Sequence, residues 1–231
     1  MLNSLLREPL IQITVTLVVY LLVNRLYRRF HFFLFNPLIL ATVIVIYILH
    51  YAKIDYAVYS QGGDMITFLL GPATVALGVP LYKQLPNIKS NLKGISVGVI
   101  TGSITAIVST IFIAKALGAG KETLLSIAAK STTMPIAIGI TGILGGNDKI
   151  IVMAVAITGI FGGVIGAEVM KLAGIKSKIA VGIGIGTASH AGGTSRAIQI
   201  GETEGSMSGA AIVLTGLVTA LLAPYIVKWL I

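Results

Sequence analysis

The sequence has no cysteine, few charges and few aromatic residues. Without cysteine the protein has no disulfides, no thiolate catalysis and no Cys-based metal sites. Only 11% of the 231 residues are charged, against roughly 25% in a typical soluble domain, and the mean hydropathy is +0.95. The chain also has 27 glycines, and glycine-rich apolar helices pack closely in membranes. This composition excludes a soluble enzyme, a disordered chain and an all-β outer-membrane barrel, and it predicts an all-α polytopic membrane protein.

The positive net charge of +9 is spread between apolar stretches rather than gathered in one patch. Lysine and arginine at such places lie against lipid headgroups and set the orientation of the chain. We therefore expect contact with membrane lipid and no binding of nucleic acid. The first apolar run, Pro9–Val23, is followed by a basic segment without a small-residue cleavage site, so we interpret it as a membrane helix and not as a cleaved signal.

Eight apolar segments approach the length of a membrane span, which is about 20 residues. The connections between them carry most of the polar residues. The sequence therefore predicts a single transmembrane domain over residues 1–231. The eight segments are Pro9–Val23, Phe35–Tyr51, Asp64–Leu81, Gly94–Ala114, Ile127–Leu144, Lys149–Met170, Ile179–Ile200 and Ser206–Leu230.

The two halves of the chain are similar at an offset near 114 residues, which predicts one repeat over about residues 1–114 and a second over about 115–231. Basic residues alternate between the halves: residues 82–93 hold three lysines, whereas their counterpart, residues 199–207, holds no base. This alternation is expected of halves with opposite orientation in the membrane. Because four spans per half would leave both halves in the same orientation, one extra crossing or re-entrant piece is needed, and we place it in residues 115–146.

Two segments are poor continuous helices and fall at corresponding places in the two repeats. One begins with Gly71-Pro72 and ends at Pro80, and the other, residues 186–196, has two adjacent glycines. Unwound backbone at membrane depth persists only against protein or a water-filled cavity. Paired breaks predict interrupted helices that cross near the midplane at a transport site; the alternative is that the prolines merely kink ordinary helices. The predicted helix breaks are Gly71, Pro72, Pro80 and Pro135.

Arg196 is the only charged residue between Ile179 and Gly201. An arginine at the bilayer centre costs at least about 2.5–3.5 kcal/mol, so it needs a counter-charge, which a small carboxylate substrate would supply through a bidentate contact. The alternative is that Arg196 is near the surface and pairs with Glu202 or Glu204. Nearby hydroxyls and free backbone N–H groups would complete an anion site. The predicted substrate-binding residues are Thr74, Thr132, Thr133, Thr187, Ser189, Gly192, Gly193, Thr194, Ser195 and Arg196.

His190 precedes Arg196 by six residues in the same interrupted stretch. Histidine titrates near neutral pH, so His190 is a candidate for carrying a coupled proton; the alternative is a structural histidine bonded to a carbonyl. The chain has three histidines and no H-x-x-x-H motif, so we expect no metal and no cofactor. A Walker loop, a G-x-S-x-G elbow and an H-E-x-x-H motif are also missing, which predicts that the protein is not an enzyme and is not driven by ATP.

Two smaller patterns concern helix packing and surface charge. Four glycines between residues 159 and 166 recur at small-residue spacing and predict close packing of one helix on another. Glu168 and Lys171 stand three residues apart on a predicted helix. This spacing places their side chains side by side and predicts a mutual ion pair.

Three ordered motifs resemble those of the LrgB/CidB membrane proteins. Residues 71–82 (GPATVALGVPLY) are similar to the first, residues 130–137 (KSTTMPIA) to the second and residues 186–197 (GTASHAGGTSRA) to the third. The resemblance covers nearly the whole chain. Gly192 and Ser195 stand where an aliphatic residue and an alanine are expected, a departure that loosens the third motif without removing its polar groups.

The resemblance has two functional implications. Bacterial members are described as antiholin-like proteins that act with a small holin-like LrgA or CidA partner to control murein hydrolase export and autolysis. Plant relatives export glycolate and glycerate from chloroplasts, and some bacterial pairs are linked to pyruvate uptake. The family fold is grouped with transporters built from inverted repeats and crossed broken helices.

Two hypotheses follow from the residues and the resemblance together. The first is a secondary carrier of small monocarboxylates similar to pyruvate, glycolate or lactate. The second is a regulatory, antiholin-like membrane protein that acts through its holin-like partner and has no substrate of its own. In either case we expect a homodimer in the bacterial cytoplasmic (inner) membrane.

Overall fold

Twelve α-helices make up the computed structural model over the residues that it describes, which are 8–30, 37–76, 78–83 and 85–231. No strand occurs in these ranges. The helices are α1 (Pro9–Phe30), α2 (Pro37–Tyr51), α3 (Tyr56–Phe68), α4 (Leu70–Ala76), α5 (Gly78–Lys83), α6 (Leu85–Ser90), α7 (Leu92–Ala116), α8 (Lys121–Ile127), α9 (Met134–Leu144), α10 (Asp148–Leu172), α11 (Lys178–Ile200) and α12 (Glu202–Leu230).

Four of these helices, α1, α7, α10 and α12, are long and apolar enough to cross a membrane. They coincide with four of the predicted apolar segments. Helix α11 has 23 residues, one more than α1, but its hydroxyls, histidine and arginine leave it too polar to be one of the four. The all-helical prediction is confirmed for the part of the chain that the structure describes.

The chain divides into two compact units, residues 1–73 and residues 74–231. In the first unit, α1 packs against both α2 and α3. Gly62 of α3 donates its backbone N–H to the side-chain Oε1 of Gln12 in α1, at 3.3 Å. A Cβ at Gly62 would lie only 2.8 Å from that same oxygen, so the glycine permits the close approach of α1 and α3.

The segment predicted as one span over residues 64–81 is divided among several helices. Helix α3 ends at Phe68, and the short helices α4 and α5 follow. Pro72 and Pro80 each lie in the first turn of one of these short helices. This position suits proline, because the first N–H groups of a helix have no intrahelical partner.

The segment predicted as one span over residues 127–144 is not one helix either: it contains the last residue of α8, a turn at residues 128–133 and the whole of α9. Helices α8 and α9 form a hairpin around that turn. Thr141 Oγ1 in α9 donates to the Ser126 carbonyl in α8 at 3.1 Å. Beyond α9, the Asn147 side-chain amide donates to Glu122 Oε1 at 2.9 Å. The start of α8 and the chain just beyond α9 therefore lie side by side.

Helix α11 also doubles back on itself. Its backbone leaves helical geometry at Ser189 (φ −142°, ψ 17°) and His190 (φ 42°, ψ −135°). A Cβ at Gly193 would lie 2.8 Å from Ile185 Cγ2, although eight residues of a continuous helix rise about 12 Å. We call residues 178–189 the first arm of the α11 hairpin and residues 190–200 its second arm.

The α11 hairpin packs against the glycines of α10. A Cβ at Gly162 would overlap the side chain of Ser189, and one at Gly159 would lie 2.8 Å from His190 Cε1. Without side chains at these two positions, α10 approaches the turn of the hairpin at backbone distance. The small-residue spacing in the sequence thus corresponds to a real helix–helix contact.

Two apolar clusters fix the hairpins within the second unit. The cluster around Ile107 and Ile111 of α7 includes Ala129, Ala137 and neighbouring residues, and so holds the α8–α9 hairpin against α7, α10 and α12. A second cluster joins α6, α7, the first arm of α11 and α12. Its buried members are Ile88, Ile95, Val99, Ile183, Met207, Ala210 and Ala211.

Candidate functional site

A cleft of about 720 Å³ lies between α7, the first arm of α11 and the turn of the α8–α9 hairpin. Thr101, Thr105 and Ser109 line it from α7 at four-residue intervals, which places them on one helix face. Ile183 and Thr187 line it from the first arm. The walls are therefore mainly apolar, with a row of hydroxyls along one side.

The cleft has an exposed end and a buried end. A Cβ at Gly98 would contact Ile183 and one at Gly102 would contact Thr187, at 3.9 and 2.8 Å, so α7 and the first arm run parallel. At their start, Asn91 lines the cleft and is exposed.

The buried end of the cleft is formed by Lys130 and Ser131 at the turn of the α8–α9 hairpin. Ser131 is only 7% exposed, and Lys130 Nζ lies 3.5 Å from its hydroxyl. Lys130 is the one charged residue among the cleft-lining residues of the described chain, and it forms no ion pair there. A half-buried ammonium without a counter-charge is costly, so the buried end of the cleft carries an uncompensated positive charge.

Lys130 is not among the substrate-binding residues predicted from the sequence. The signal was present, because Lys130 interrupts the apolar segment 127–144 as Arg196 interrupts 179–200. From this segment, only the hydroxyl residues Thr132 and Thr133 are among the predicted binding residues.

Three predicted binding residues lie in or beside the cleft. Thr187 lines it directly and accepts a hydrogen bond from Thr215 of α12 at 3.2 Å. Thr132 and Thr133 follow the two residues that form the buried end. Thr132 Oγ1 donates to the Ala129 carbonyl at 3.0 Å, whereas Thr133 Oγ1 is buried and has no hydrogen-bond partner. Pro135 is the second residue of α9, behind Thr133 as N-cap.

Other predicted binding residues serve the α11 hairpin instead of the cleft. Ser189 Oγ donates to the Ile185 carbonyl at 2.8 Å. Thr194 Oγ1 donates to the His190 carbonyl and lies 2.7 Å from Ser208 Oγ of α12. Ser195 is exposed and bonds to the backbone of its own arm.

The two central glycines of the third motif are packing positions in this structure. A Cβ at Gly192 would overlap the backbone of Gly159 in α10, and one at Gly193 would overlap Ser189. Neither glycine lines the cleft. The side chain of the remaining predicted residue, Thr74, lies outside the described residues.

Arg196 lies on the second arm of the α11 hairpin and does not line the cleft. Its Nη2 lies 3.9 Å from Glu168 Oε1 of α10, and its Nη1 donates to Gln199 Oε1 at 3.1 Å. The side chain is 40% exposed. Its ionic partner is thus neither Glu202 nor Glu204 but Glu168, which also pairs with Lys171 at 3.3 Å. Because the chain reverses at His190, a residue six positions later returns toward the surface.

His190 is buried and its Nε2 lies 3.1 Å from the Val155 carbonyl oxygen. A carbonyl only accepts, so Nε2 carries the hydrogen and the neutral ring has its free lone pair on Nδ1. This geometry matches a structural histidine, and the proton-coupling role stays a prediction. Within the described ranges, no three His, Asp or Glu side chains come together to hold a metal ion.

Comparison with known proteins gives the family. A model described as the LrgB-like family matches residues 16–229. The chain belongs to the LrgB family. It is 34% identical over 217 residues, 94% of each chain, to the antiholin-like protein LrgB of Bacillus mycoides (strain KBAB4). It is also 33% identical over 221 residues, 96% of this chain and 98% of the relative, to the uncharacterized protein YwbG of Bacillus subtilis (strain 168).

Membership of the LrgB family confirms the resemblance carried by the three motifs. With its four apolar helices, this is a multi-pass bacterial membrane protein. No solved structure matches the chain.

Proposed function

We propose that this protein is a secondary carrier of small monocarboxylates of the pyruvate, glycolate and lactate type. The observation that supports this most directly is the single unpaired cation, Lys130, at the buried end of a cleft whose other described lining residues are uncharged. One ammonium neutralises one carboxylate. A second negative charge on the substrate would be left without a partner in an apolar setting.

The rest of the cleft fits the remainder of such a molecule. Hydroxyls from Thr101, Thr105 and Ser109 can donate to a 2-oxo oxygen or accept from a 2-hydroxyl group. Apolar side chains such as Ile183 offer contact to a methyl group. A protein that only bound a partner on its surface would have no need of an unpaired cation inside a cleft.

The test is uptake of labelled pyruvate, glycolate and lactate into proteoliposomes under an imposed pH gradient. We compare wild type with Lys130→Met, which keeps an unbranched side chain, one atom shorter, but removes its charge. A charge-assisted hydrogen bond contributes about 1.5–3 kcal/mol, so uptake by the variant falls about 10- to 100-fold. Its thermal stability stays level or rises, because an unpaired half-buried charge is removed.

Arg196→Ala is the matched control, because it removes a cation that lies outside the cleft. Retained uptake in Arg196→Ala and lost uptake in Lys130→Met support a substrate site at Lys130. Retained uptake in Lys130→Met and lost uptake in Arg196→Ala would instead place the substrate site at the third motif, residues 186–197. Equal uptake by all three proteins would contradict both assignments.

The antiholin-like name of the relatives supports a second candidate function. In that case the protein modulates murein hydrolase activity and lysis through a small holin-like LrgA/CidA-type membrane partner, as a homodimer or in a mixed complex, without a substrate. The proteoliposome assay therefore includes a second arm with that partner present. Absence of saturable uptake by folded wild type in both arms would overturn the carrier and leave the regulatory function.

A further inference from the structure

We propose that the α8–α9 hairpin and the α11 hairpin are re-entrant: they enter the membrane from opposite faces and meet at its midplane, where their tips enclose the anion site at Lys130. The identity of the anion rests on the carrier function proposed above. The topology does not, because it follows from contacts within the second unit and can be tested without measuring transport.

Both tips lie at the middle of α12, a helix of 29 residues. Thr187, near the end of the first arm, accepts a hydrogen bond from Thr215. A Cβ at Gly216 would lie 2.5 Å from Cδ1 of Ile136, at the start of α9. Thr215 and Gly216 are consecutive residues halfway along α12, so the two tips reach the same depth from different helices.

The α11 hairpin begins beside the start of α12. A Cβ at Gly182 would lie 2.8 Å from Met207 Cβ, and one at Gly186 would lie 2.8 Å from Ala211 Cβ. Equal steps of four residues in the same direction show that the first arm and α12 run parallel. Because the second arm then returns to Gly201, where α12 begins, both ends of this hairpin lie at one end of the bundle.

The α8–α9 hairpin begins and ends at the other end of the bundle. Helix α7 runs parallel to the first arm and therefore to α12, and the ends of the two helices meet where Lys115 Nζ donates to the Leu230 carbonyl. Helix α8 starts at Lys121, a few residues beyond Lys115. The Asn147–Glu122 hydrogen bond brings the chain back to the same place after α9.

The lengths of the hairpins fit half a membrane. The first arm of α11 has 12 residues, 178–189, and rises about 18 Å at about 1.5 Å per residue. The hydrocarbon core is about 30 Å thick, so this arm reaches the centre and does not cross. The turns are buried in protein, as irregular backbone at membrane depth requires: Thr132 is 1% exposed and Ser189 is 3% exposed.

Each hairpin is followed by one long helix that crosses back. Residues 121–172 form a hairpin and α10, and residues 178–230 form a hairpin and α12. The contacts of Gly166 with Ile185 and of Gly162 with Ser189 show that α10 runs antiparallel to the first arm. The segments 121–172 and 178–230, each a hairpin followed by a long helix, therefore have opposite orientation. Inverted units with a site between them are the usual architecture of secondary carriers.

The basic residues orient this arrangement. Four exposed lysines flank the exposed end of the cleft, two beside Asn91 and two beside Ser177. Lys171 and Arg196 lie at the same end of the bundle, which gives six basic residues there against four at the other end, namely Lys115, Lys121, Lys149 and Lys228. An excess of lysine and arginine marks cytoplasmic connections. The cleft therefore opens to the cytoplasm in this structure, and the α8–α9 hairpin enters from the outside. The four lysines beside Asn91 and Ser177 are Lys89, Lys93, Lys176 and Lys178.

The absence of native cysteine makes the topology directly testable. Single-cysteine variants at four exposed positions, Lys121→Cys, Lys149→Cys, Lys176→Cys and Glu202→Cys, are treated with a membrane-impermeant maleimide in right-side-out and inverted vesicles. We expect the first two to react only from the outside and the last two only from the cytoplasmic side. If either hairpin were an ordinary span, its two flanking cysteines would react from opposite faces, and that result would overturn the proposal.

Two further variants test the cleft. Thr105→Cys lines the cleft, whereas its neighbour Ile104→Cys lies on α7 outside it and faces lipid. We expect Thr105→Cys to react from the cytoplasmic side and Ile104→Cys to stay unreactive. Reaction of Thr105→Cys from the outside, or none, would overturn the cytoplasmic opening. Pyruvate should slow the reaction at least several-fold; correct topology without protection would contradict the carrier function and not the hairpins.

Discussion

The tips of the two hairpins lie side by side, yet their polar side chains differ in how they are satisfied. In the α11 hairpin, Ser189 donates to a carbonyl of its own arm, His190 to Val155, and Thr194 to the His190 carbonyl. In the α8–α9 hairpin, Lys130 forms no ion pair and Thr133 Oγ1 has no partner. Buried polar groups are normally hydrogen-bonded. The polar groups of the first tip meet that rule within the protein, whereas those of the second tip do so only in part.

The largest loss of stability is expected from a substitution where α10 packs against the α11 hairpin. In Gly162→Ala the new Cβ overlaps Ser189, and overpacking of this kind costs about 1–3 kcal/mol or more. We expect a lower melting temperature in detergent and less folded protein. Gly139→Ala in α9 is the control, because nothing lies within 4 Å of its Cβ. Equal melting temperatures for the two variants would contradict the packing described here.

Two threonine variants, one in each hairpin, test the difference between the tips through smaller changes in the free energy of unfolding. Thr194→Val removes a buried hydroxyl with two partners and leaves Ser208 unpaired, which should lower the free energy of unfolding by about 1–3 kcal/mol. Thr133→Val removes a hydroxyl that has no partner, so stability should not fall. Thermal melts of both variants check the difference, and uptake by Thr133→Val shows whether that hydroxyl serves the substrate. A larger loss of stability in Thr133→Val would mean that the two tips are not different.

His190→Gln tests whether the α11 tip also has a part in coupling. A glutamine amide can replace the N–H that His190 gives to Val155, but it cannot take up a proton. We expect folded protein whose uptake still responds to an imposed pH gradient. Loss of that response, with uptake otherwise retained, would assign the coupled proton to His190 and contradict a purely structural role.

The smallest expected effect belongs to Arg196→Ala. An exposed ion pair contributes about 0–1 kcal/mol, and the 3.9 Å contact of Arg196 with Glu168 is of this kind. Unfolding measured in 0.1 M and 1 M salt should differ little between variant and wild type. A marked loss of stability would show that Arg196 holds the second arm against α10.

Much of the fold follows from the sequence, because composition, apolar segments and motif order carry the membrane character and the family. The glycine pair and hydroxyls of residues 186–196 indicated an interrupted helix, and the backbone departs from helical geometry at Ser189 and His190. Hydropathy could not distinguish a kinked span from two half-length arms, since both have the same composition. That ambiguity also affected residues 127–144.

The candidate site was harder to predict than the fold, for a related reason. Lys130 and Arg196 are both lone cations in apolar segments. Which of them lies in a cleft depends on where each hairpin turns: Lys130 lies near a turn, whereas Arg196 follows one by six residues. Only tertiary contacts, such as those of Ala129 with the α7 cluster, decide that.

The size of the cleft has a further consequence, which concerns hydration. A volume of about 720 Å³ has room for about two dozen waters at roughly 30 Å³ each, many more than a three-carbon acid displaces. Closing the hairpins around the substrate would therefore expel bulk-like water from the protein. Osmolytes that are excluded from protein surfaces favour such a dehydrated state, so the carrier function proposed above predicts that osmotic pressure changes uptake without a change in any side chain.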